Sequence, residues 1–98
     1  MIQRIVCMQF KPENIPNFLE IFDQSALQIR QFNGCLHLQL HRDAQLPQRL
    51  FTVSHWESEA HLQAYRQSAL FEKIWTLTKV LFEEKPQAWT LHLLREPS

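Results

Sequence analysis

Glycine is almost absent from this sequence, and its scarcity excludes whole classes of nucleotide site. Gly34 is the only glycine among 98 residues. A GxGxxG dinucleotide-binding turn or a Walker phosphate loop needs several glycines, because the backbone must turn sharply and approach the phosphates closely. Dinucleotide and triphosphate sites that depend on such loops are therefore excluded.

Cysteine is also scarce. Cys7 and Cys35 are the only two, and the chain has no CxxC motif. This usage is typical of a reduced chain and predicts a cytoplasmic location. A disulfide between the two residues would require adjacent strands with suitable geometry.

Excess charge and long apolar runs are missing as well. Ten Lys and Arg residues balance ten Asp and Glu residues, and no basic stripe stands out, so we expect no nucleic-acid partner. No apolar run approaches the roughly 20 residues that cross a bilayer. The first ten residues are too few and too mixed for a signal peptide and are typical of a strand. We therefore expect no membrane partner.

The apolar residues that are present follow two periods. Alternation of period two predicts strands over residues 2–10, 35–42, 50–56 and 87–94. A helical stripe predicts a first helix from about residue 15, with Asn14 as its cap, ending near Phe32, Asn33 and Gly34. We expect Gly34 to take the left-handed conformation after that helix.

Residues 51–82 form the centre of the predicted organisation, where a strand leads into an aromatic helical region. Ser58 is the expected N-cap of a helix with Glu59 in its first turn. Ser68 is the expected cap of a second helical segment, which predicts a break near Gln67. Apolar and aromatic residues then recur at three- and four-residue spacing as far as Phe82, as in a helix packed on a sheet.

The element order is β-α-β-β-α-β, which predicts the α+β ferredoxin-like fold with a four-stranded antiparallel sheet and its helices on one face. We expect one domain over residues 1–98, with a core over about 2–94 and a frayed tail at 95–98. Neither sheet face is cleanly polar, whereas a sheet with one solvated face should alternate. We therefore predict a homodimer formed through the helix-free sheet face. A monomer with scattered surface apolar residues is the alternative.

The whole chain, over about residues 2–94, resembles the antibiotic biosynthesis monooxygenase domains of the dimeric α/β-barrel superfamily. The similarity rests on the strand end Trp56-Glu57-Ser58, the helical residues after it and the turn Phe32-Asn33-Gly34-Cys35, which matches an F-x-G-(C/F) pattern. The small-residue break corresponds to Ser68-Ala69 and the xxF segment to Ala69-Leu70-Phe71. These motifs specify fold and packing more than chemistry, and function has to be argued from the site.

The resemblance implies two enzymatic branches, and the haem-degrading branch is disfavoured. Its Asn position falls at Val6 or Cys7, its Trp position at Tyr65 and its iron-ligating His position at or near Trp75. All three positions depart from the pattern, and an indole does not ligate iron as an imidazole does.

The other branch implies a cofactor-independent monooxygenase that acts on a small aromatic or quinol-like molecule in a pocket between the helices and the sheet. Aromatic side chains suited to stacking on such a substrate are Trp56, Tyr65, Phe71 and Trp75. The candidate catalytic residues are Tyr65, Arg66 and His37, of which Arg66 or a histidine would stabilise an enolate or peroxide anion. We expect no cofactor. The alternative is a non-catalytic, dimeric, ligand-binding or stress-associated domain.

Each of these residues also has a plainer interpretation. Tyr65, Phe71 and Trp75 are of the kind that fills a helix-on-sheet core, and Arg66 of the kind that lies solvated on a helix. His37 shares its strand parity with Cys35, Gln39 and His41 and opposes Leu36, Leu38 and Leu40, so the helix-free face is its more natural place. His37 and His41 lie on the order of 13 Å apart along a strand, too far to share one metal ion. We predict no metal site.

Overall fold

A four-stranded antiparallel sheet carries all the helices of the chain. The computed structural model describes all 98 residues. The elements in chain order are β1 (Ile2–Gln9), a 3-10 turn (Pro12–Asn14), α1 (Ile15–Arg30), β2 (Cys35–Arg42), β3 (Arg49–Trp56), α2 (Glu59–Arg66), α3 (Ala69–Lys79) and β4 (Gln87–His92). The strand order is β2-β3-β1-β4. The predicted ferredoxin-like α+β arrangement is confirmed, with β4 ending two residues earlier than expected.

The predicted break in the second helical region is confirmed. Ser58 Oγ accepts a hydrogen bond from the backbone N–H of His61, which caps α2, and Ser68 Oγ accepts one from Phe71, which caps α3. Gln67 ends α2 between them. Two independently capped short helices therefore replace one continuous helix.

The first helix begins differently from the prediction. Asn14 already has helical backbone angles at the end of the 3-10 turn, and its side chain caps nothing in α1. The Asn14 amide instead donates to the backbone oxygen of Leu81, which ties the start of α1 to the segment after α3. Gly34 does adopt a positive φ of 90°, but it lies beyond the C-cap residue Gln31, in the turn that enters β2.

The side chains of β2 do not alternate as predicted, because the strand contains a bulge. The pairing register of β2 with β3 shifts between Cys35 and His37. Cys35 is consequently buried on the helix side, while Leu36, expected to face the helices, is 45% exposed. A bulge adds one residue to a strand, so side chains on its two sides change faces. Cys7 lies on β1, which β3 separates from β2, and both thiols are free.

The helix-free face remains largely apolar around β1, β3 and β4. Ile5 lies opposite both Val53 and Trp89, which puts the three side chains on one face. Trp89 and Leu91 are 45% and 44% exposed there. No helix combines the length and the apolar character that a membrane span needs.

Candidate functional site

The core between the helices and the sheet is divided into two clusters with a cavity between them. Buried residues form one cluster around Trp56 and Leu62 and a second around Met8 and Phe18. Members of both clusters line a cavity of about 380 Å³. Protein interiors are normally packed without voids of this size. A volume within the range of small-molecule pockets therefore marks this as the candidate site.

All four predicted stacking residues lie on this cavity, since Trp56, Tyr65, Phe71 and Trp75 are among its lining residues. The Trp56 and Tyr65 rings stack with centroids 5.0 Å apart, Tyr65 meets Phe71 edge-on at 5.3 Å, and Phe71 stacks on Trp75 at 6.0 Å. The rings form one continuous wall, which we call the aromatic wall. A planar apolar molecule is the ligand that such a surface favours.

The break between α2 and α3 positions the middle of the aromatic wall. Ser68 Oγ donates to the backbone oxygen of Tyr65 at 2.6 Å and accepts from the backbone N–H of Phe71 at 3.1 Å. One hydroxyl therefore fixes the last turn of α2 against the first turn of α3. The contact between the Tyr65 and Phe71 rings depends on this junction.

A buried hydrogen bond holds the inner end of the wall. Trp56 Nε1 donates to Ser54 Oγ at 3.0 Å. The Trp56 side chain is 1% exposed and lies behind Tyr65. Trp56 is therefore a fixed backing for the wall, while Tyr65, Phe71 and Trp75 are only partly buried.

Two arginines line the cavity, and only one of them was predicted. Arg66 is exposed at the end of α2, and half-buried Arg4 projects from β1. Burial, with the nearby Arg66 charge as a smaller cause, lowers the pKa of Arg4 from its usual value. No aspartate or glutamate is among the lining residues. The cavity is therefore positively charged with no carboxylate to offset it.

Arg4 was overlooked, although its strand position carried a signal. Arg4 has the same parity on β1 as buried Ile2 and Met8, so the alternation alone directs it toward the helices. An arginine in that row needs a polar partner or a ligand. Arg4 Nη1 donates to Thr90 Oγ1 at 2.8 Å, which satisfies one donor and leaves the others of the guanidinium available.

His37 does not lie on the cavity, so it is the one predicted site residue that the structure does not bring together with the others. Its ring lies 4.6 Å from the ring of His55, whose Nε2 accepts a hydrogen bond from Gln3 Nε2 at 2.9 Å on the helix-free face. Burial, and then the His37 charge, lower the pKa of His55. No three His, Cys, Asp or Glu side chains lie together in a way that would hold a metal ion.

Two of the five hydroxyl side chains that line the cavity, Tyr65 and Thr78, bear directly on its chemistry. Burial is the main cause that raises the pKa of Tyr65 far above its usual value of 10.0, with nearby Cys35 adding to it. Tyr65 is therefore a hydrogen-bond donor rather than a base at neutral pH. Thr78 on α3 is 2% exposed, and its Oγ1 has no hydrogen-bond partner in the protein. Thr78 was also not predicted as a site residue from the sequence, because a threonine in a helical stripe looks like an ordinary packing residue.

The sequence model of the family described as antibiotic biosynthesis monooxygenase matches residues 1–76. No curated protein matches the chain. A Bordetella bronchiseptica protein whose structure is named for the same family is 28% identical, with a TM-score of 0.84 and coverage of 96% of this chain and 97% of that one.

Two further solved structures show the same fold at lower identity. One, of an antibiotic biosynthesis monooxygenase, gives a TM-score of 0.90 at 20% identity and covers 97% of this chain and 100% of that chain. The other, Rv0793 from Mycobacterium tuberculosis, gives 0.90 at 18% identity and covers 99% and 98%. The architecture is thus common to these proteins and to this chain.

Proposed function

Because the chain belongs to the antibiotic biosynthesis monooxygenase family, we propose that it is a cofactor-independent monooxygenase of a small aromatic or quinol-like molecule. The observation that carries the proposal is the cavity of about 380 Å³ with its aromatic wall and two arginines. Its size suits a molecule of two or three fused rings. The small number of cysteines supports a cytoplasmic location.

In the proposed reaction the substrate itself supplies the electrons. A phenol, or its carbonyl tautomer with a ring CH₂ group, loses a proton, and the resulting anion reduces dioxygen directly. A carbon–oxygen bond forms, the oxygen–oxygen bond then breaks, and the CH₂ group and one O₂ become a ring carbonyl and one water. The protein binds the ring and stabilises the negative charge, for which Arg66 and Arg4 are the available groups.

The cavity offers no side chain suited to removing the substrate proton. Its lining contains no histidine or carboxylate, and Tyr65 stays protonated. A positive charge close to a phenol lowers the phenol pKa, because it favours the charged form. We therefore propose that the arginines promote ionisation of the substrate, and that the proton leaves to solvent.

The same absence of a base favours a second candidate function. A dimeric ligand-binding or stress-associated domain needs the aromatic wall and the arginines but no proton acceptor. Such a protein would bind the same planar molecules without turnover. A measurement of turnover distinguishes the two functions, whereas a measurement of affinity does not.

We also propose that the active form is a homodimer joined through the helix-free sheet face. Only 11 of 98 residues are buried in the isolated chain. The apolar row on this face, in which Ile5 and Val53 are half-buried and Trp89 and Leu91 are exposed, would be covered by the same row of a second copy. A two-fold dimer buries one patch against itself, which is the simplest way to cover it.

Oxygen uptake tests the proposed function. Protein freed of metal ions and shown by its absorption spectrum to carry no flavin or haem is mixed with polycyclic phenols and quinols in an oxygen-electrode cell. We expect uptake of one O₂ per substrate converted for at least one member of the panel. Tight binding without uptake across the panel would support the ligand-binding domain instead.

A further inference from the structure

We propose that Arg4 and Arg66 form a carboxylate-binding subsite, and that the cavity selects a planar aromatic acid whose far end is hydrogen-bonded by Thr78. This inference rests on the proposed function, because it assigns the chemical class of molecule that occupies the same cavity. It adds two requirements, an ionised group at one end of the ligand and a polar group at the other.

The charges of the two arginines have no counter-ion in the protein. Neither Arg4 nor Arg66 forms an ion pair, since the ion pairs of the chain involve Arg49, His61 and His92. Two guanidinium groups without a carboxylate repel each other, and burial of Arg4 increases that cost. An anion between them removes the repulsion, and a carboxylate matches the planar geometry of a guanidinium in a bidentate pair.

The side chain of Arg4 is anchored to the neighbouring strand. Its bond to Thr90 Oγ1 joins β1 to the neighbouring strand β4 and fixes the side chain on the cavity side of the sheet. A guanidinium that is already ordered loses little further freedom when it binds an anion. Arg66, exposed at the end of α2, is free to close over a ligand that has entered.

Thr78 follows Trp75 on α3, at the end of the aromatic wall away from Arg66. Phe71, Trp75 and Thr78 follow one another at four- and three-residue spacing and therefore lie on one face of α3. Thr78 lies roughly 10 Å along the helix from Phe71, given a rise of 1.5 Å per residue. A buried hydroxyl without a protein partner is costly unless a ligand satisfies it. Thr78 therefore puts a hydroxyl near one end of the aromatic wall, and Arg66 lies next to Tyr65 near the other.

Calorimetric titration with matched naphthalene probes tests this polarity without requiring turnover. The probes are 2-naphthoate, its neutral amide 2-naphthamide, and 6-hydroxy-2-naphthoate, which has a hydroxyl at the end opposite the carboxylate. We expect the wild-type protein to bind 2-naphthoate at least about tenfold more tightly than 2-naphthamide, as a charge-assisted hydrogen bond provides. We expect a further gain for 6-hydroxy-2-naphthoate.

Variants assign the two effects to their residues. Arg66→Gln should abolish most of the preference for the acid over the amide, whereas Arg66→Lys should keep part of it. Arg4→Gln should also abolish it. Because Arg4 is bonded to Thr90, the exposed Arg66 decides the test if the Arg4 variant does not fold. Arg42→Gln, which changes an exposed arginine that is not on the cavity, is the matched control and should leave the ratio of acid to amide affinity unchanged.

Thr78→Val should remove only the gain in affinity that comes from the distal hydroxyl of 6-hydroxy-2-naphthoate.

The outcomes separate this inference from the proposed function. Equal affinity of the wild-type protein for acid and amide would overturn the carboxylate subsite while leaving the aromatic cavity in place. A preference for the acid that survives Arg66→Gln and Arg4→Gln would overturn the assignment to these arginines. Failure of all three probes to bind would contradict the proposed function as well, because the aromatic wall would then hold no ring.

Discussion

Thr78 is the residue at which stability and ligand binding are opposed. Its buried hydroxyl lacks a protein partner. Thr78→Val keeps the β-branched shape and removes the hydroxyl, so we expect the ligand-free protein to become more stable by about 1–2 kcal/mol. Urea unfolding measures the change, with Thr76→Val on the exposed side of α3 as the control. A loss of stability at Thr78 would mean that the hydroxyl is already satisfied.

His55 makes stability depend on pH. Burial lowers its pKa below the usual 6.5, so the unfolded chain binds more protons than the folded chain at and somewhat below that pH. The contribution of His55 to folding stability should therefore fall as pH falls through about 6.5 and stop falling below the lowered pKa. We expect His55→Gln to flatten this slope between pH 7.5 and 5.5 in urea titrations, whereas the exposed control His41→Gln should leave it. An unchanged slope in His55→Gln would assign the pH dependence to another group.

At the scale of residues, the sequence predicted the aromatic lining of the cavity better than its polar lining. Tyr65, Phe71 and Trp75 were recognisable because bulky side chains at helical spacing must pack on something. Arg4 and Thr78 were not recognised, because whether a polar residue in an apolar row is paired depends on contacts between distant segments. The position of His37 away from the cavity follows from its strand parity, which already favoured the helix-free face.

The junction between α2 and α3 is the element that organises the site. Ser68→Ala removes one cap and the bond to the Tyr65 carbonyl. We expect a loss of about 1 kcal/mol in unfolding free energy and weaker binding of 2-naphthoate, because the Tyr65–Phe71 contact loosens. Urea unfolding and calorimetry measure the two quantities.

Ser58→Ala is the matched control for this junction. Ser58 caps α2 at its other end and does not line the cavity. Its loss should cost similar stability and leave naphthoate affinity unchanged. Equal effects of the two substitutions on binding would show that the junction acts through general stability only.

At the scale of elements, most helix and strand boundaries could be predicted from the sequence. The face on which the first residues of β2 lie could not. Serine caps and periodicity are local signals, so the break at Gln67 and the two short helices were predicted. The bulge in β2 was not, because the alternation of Leu36, Leu38 and Leu40 continues through it. Burial of Cys35 against Trp56 and Leu62 is a tertiary contact that overrides the local pattern.

At the scale of the whole molecule, the uncovered sheet face predicts the assembly. Trp89 is 45% exposed on that face, opposite Ile5. We expect sedimentation equilibrium at micromolar concentration to give a dimer for the wild-type chain and a monomer for Trp89→Lys, because an unpaired charge would be buried in the interface. Leu27→Lys, on the exposed side of α1, should remain dimeric. A monomeric wild-type chain would refute the assembly.

The overall topology was predictable from element order, whereas the cavity was not. The order β-α-β-β-α-β restricts the sheet to few arrangements. A void between two packed clusters depends on how side chains such as Phe18 and Leu62 meet across the core, and periodicity carries no information about that. The sequence alone therefore left open whether Tyr65 and Trp75 fill a core or line a pocket.

We expect an aromatic substrate to meet dioxygen in the cavity between the helices and the sheet. Ser25 lines it from α1, so Ser25→Phe fills it, whereas Leu27→Phe adds the same ring to the exposed side of the same helix. Oxygen uptake with the best phenol or quinol of the panel should fall by at least about tenfold in Ser25→Phe, as expected when a well-filled pocket is blocked, and remain unchanged in Leu27→Phe. Undiminished uptake in a folded Ser25→Phe protein would contradict the claim.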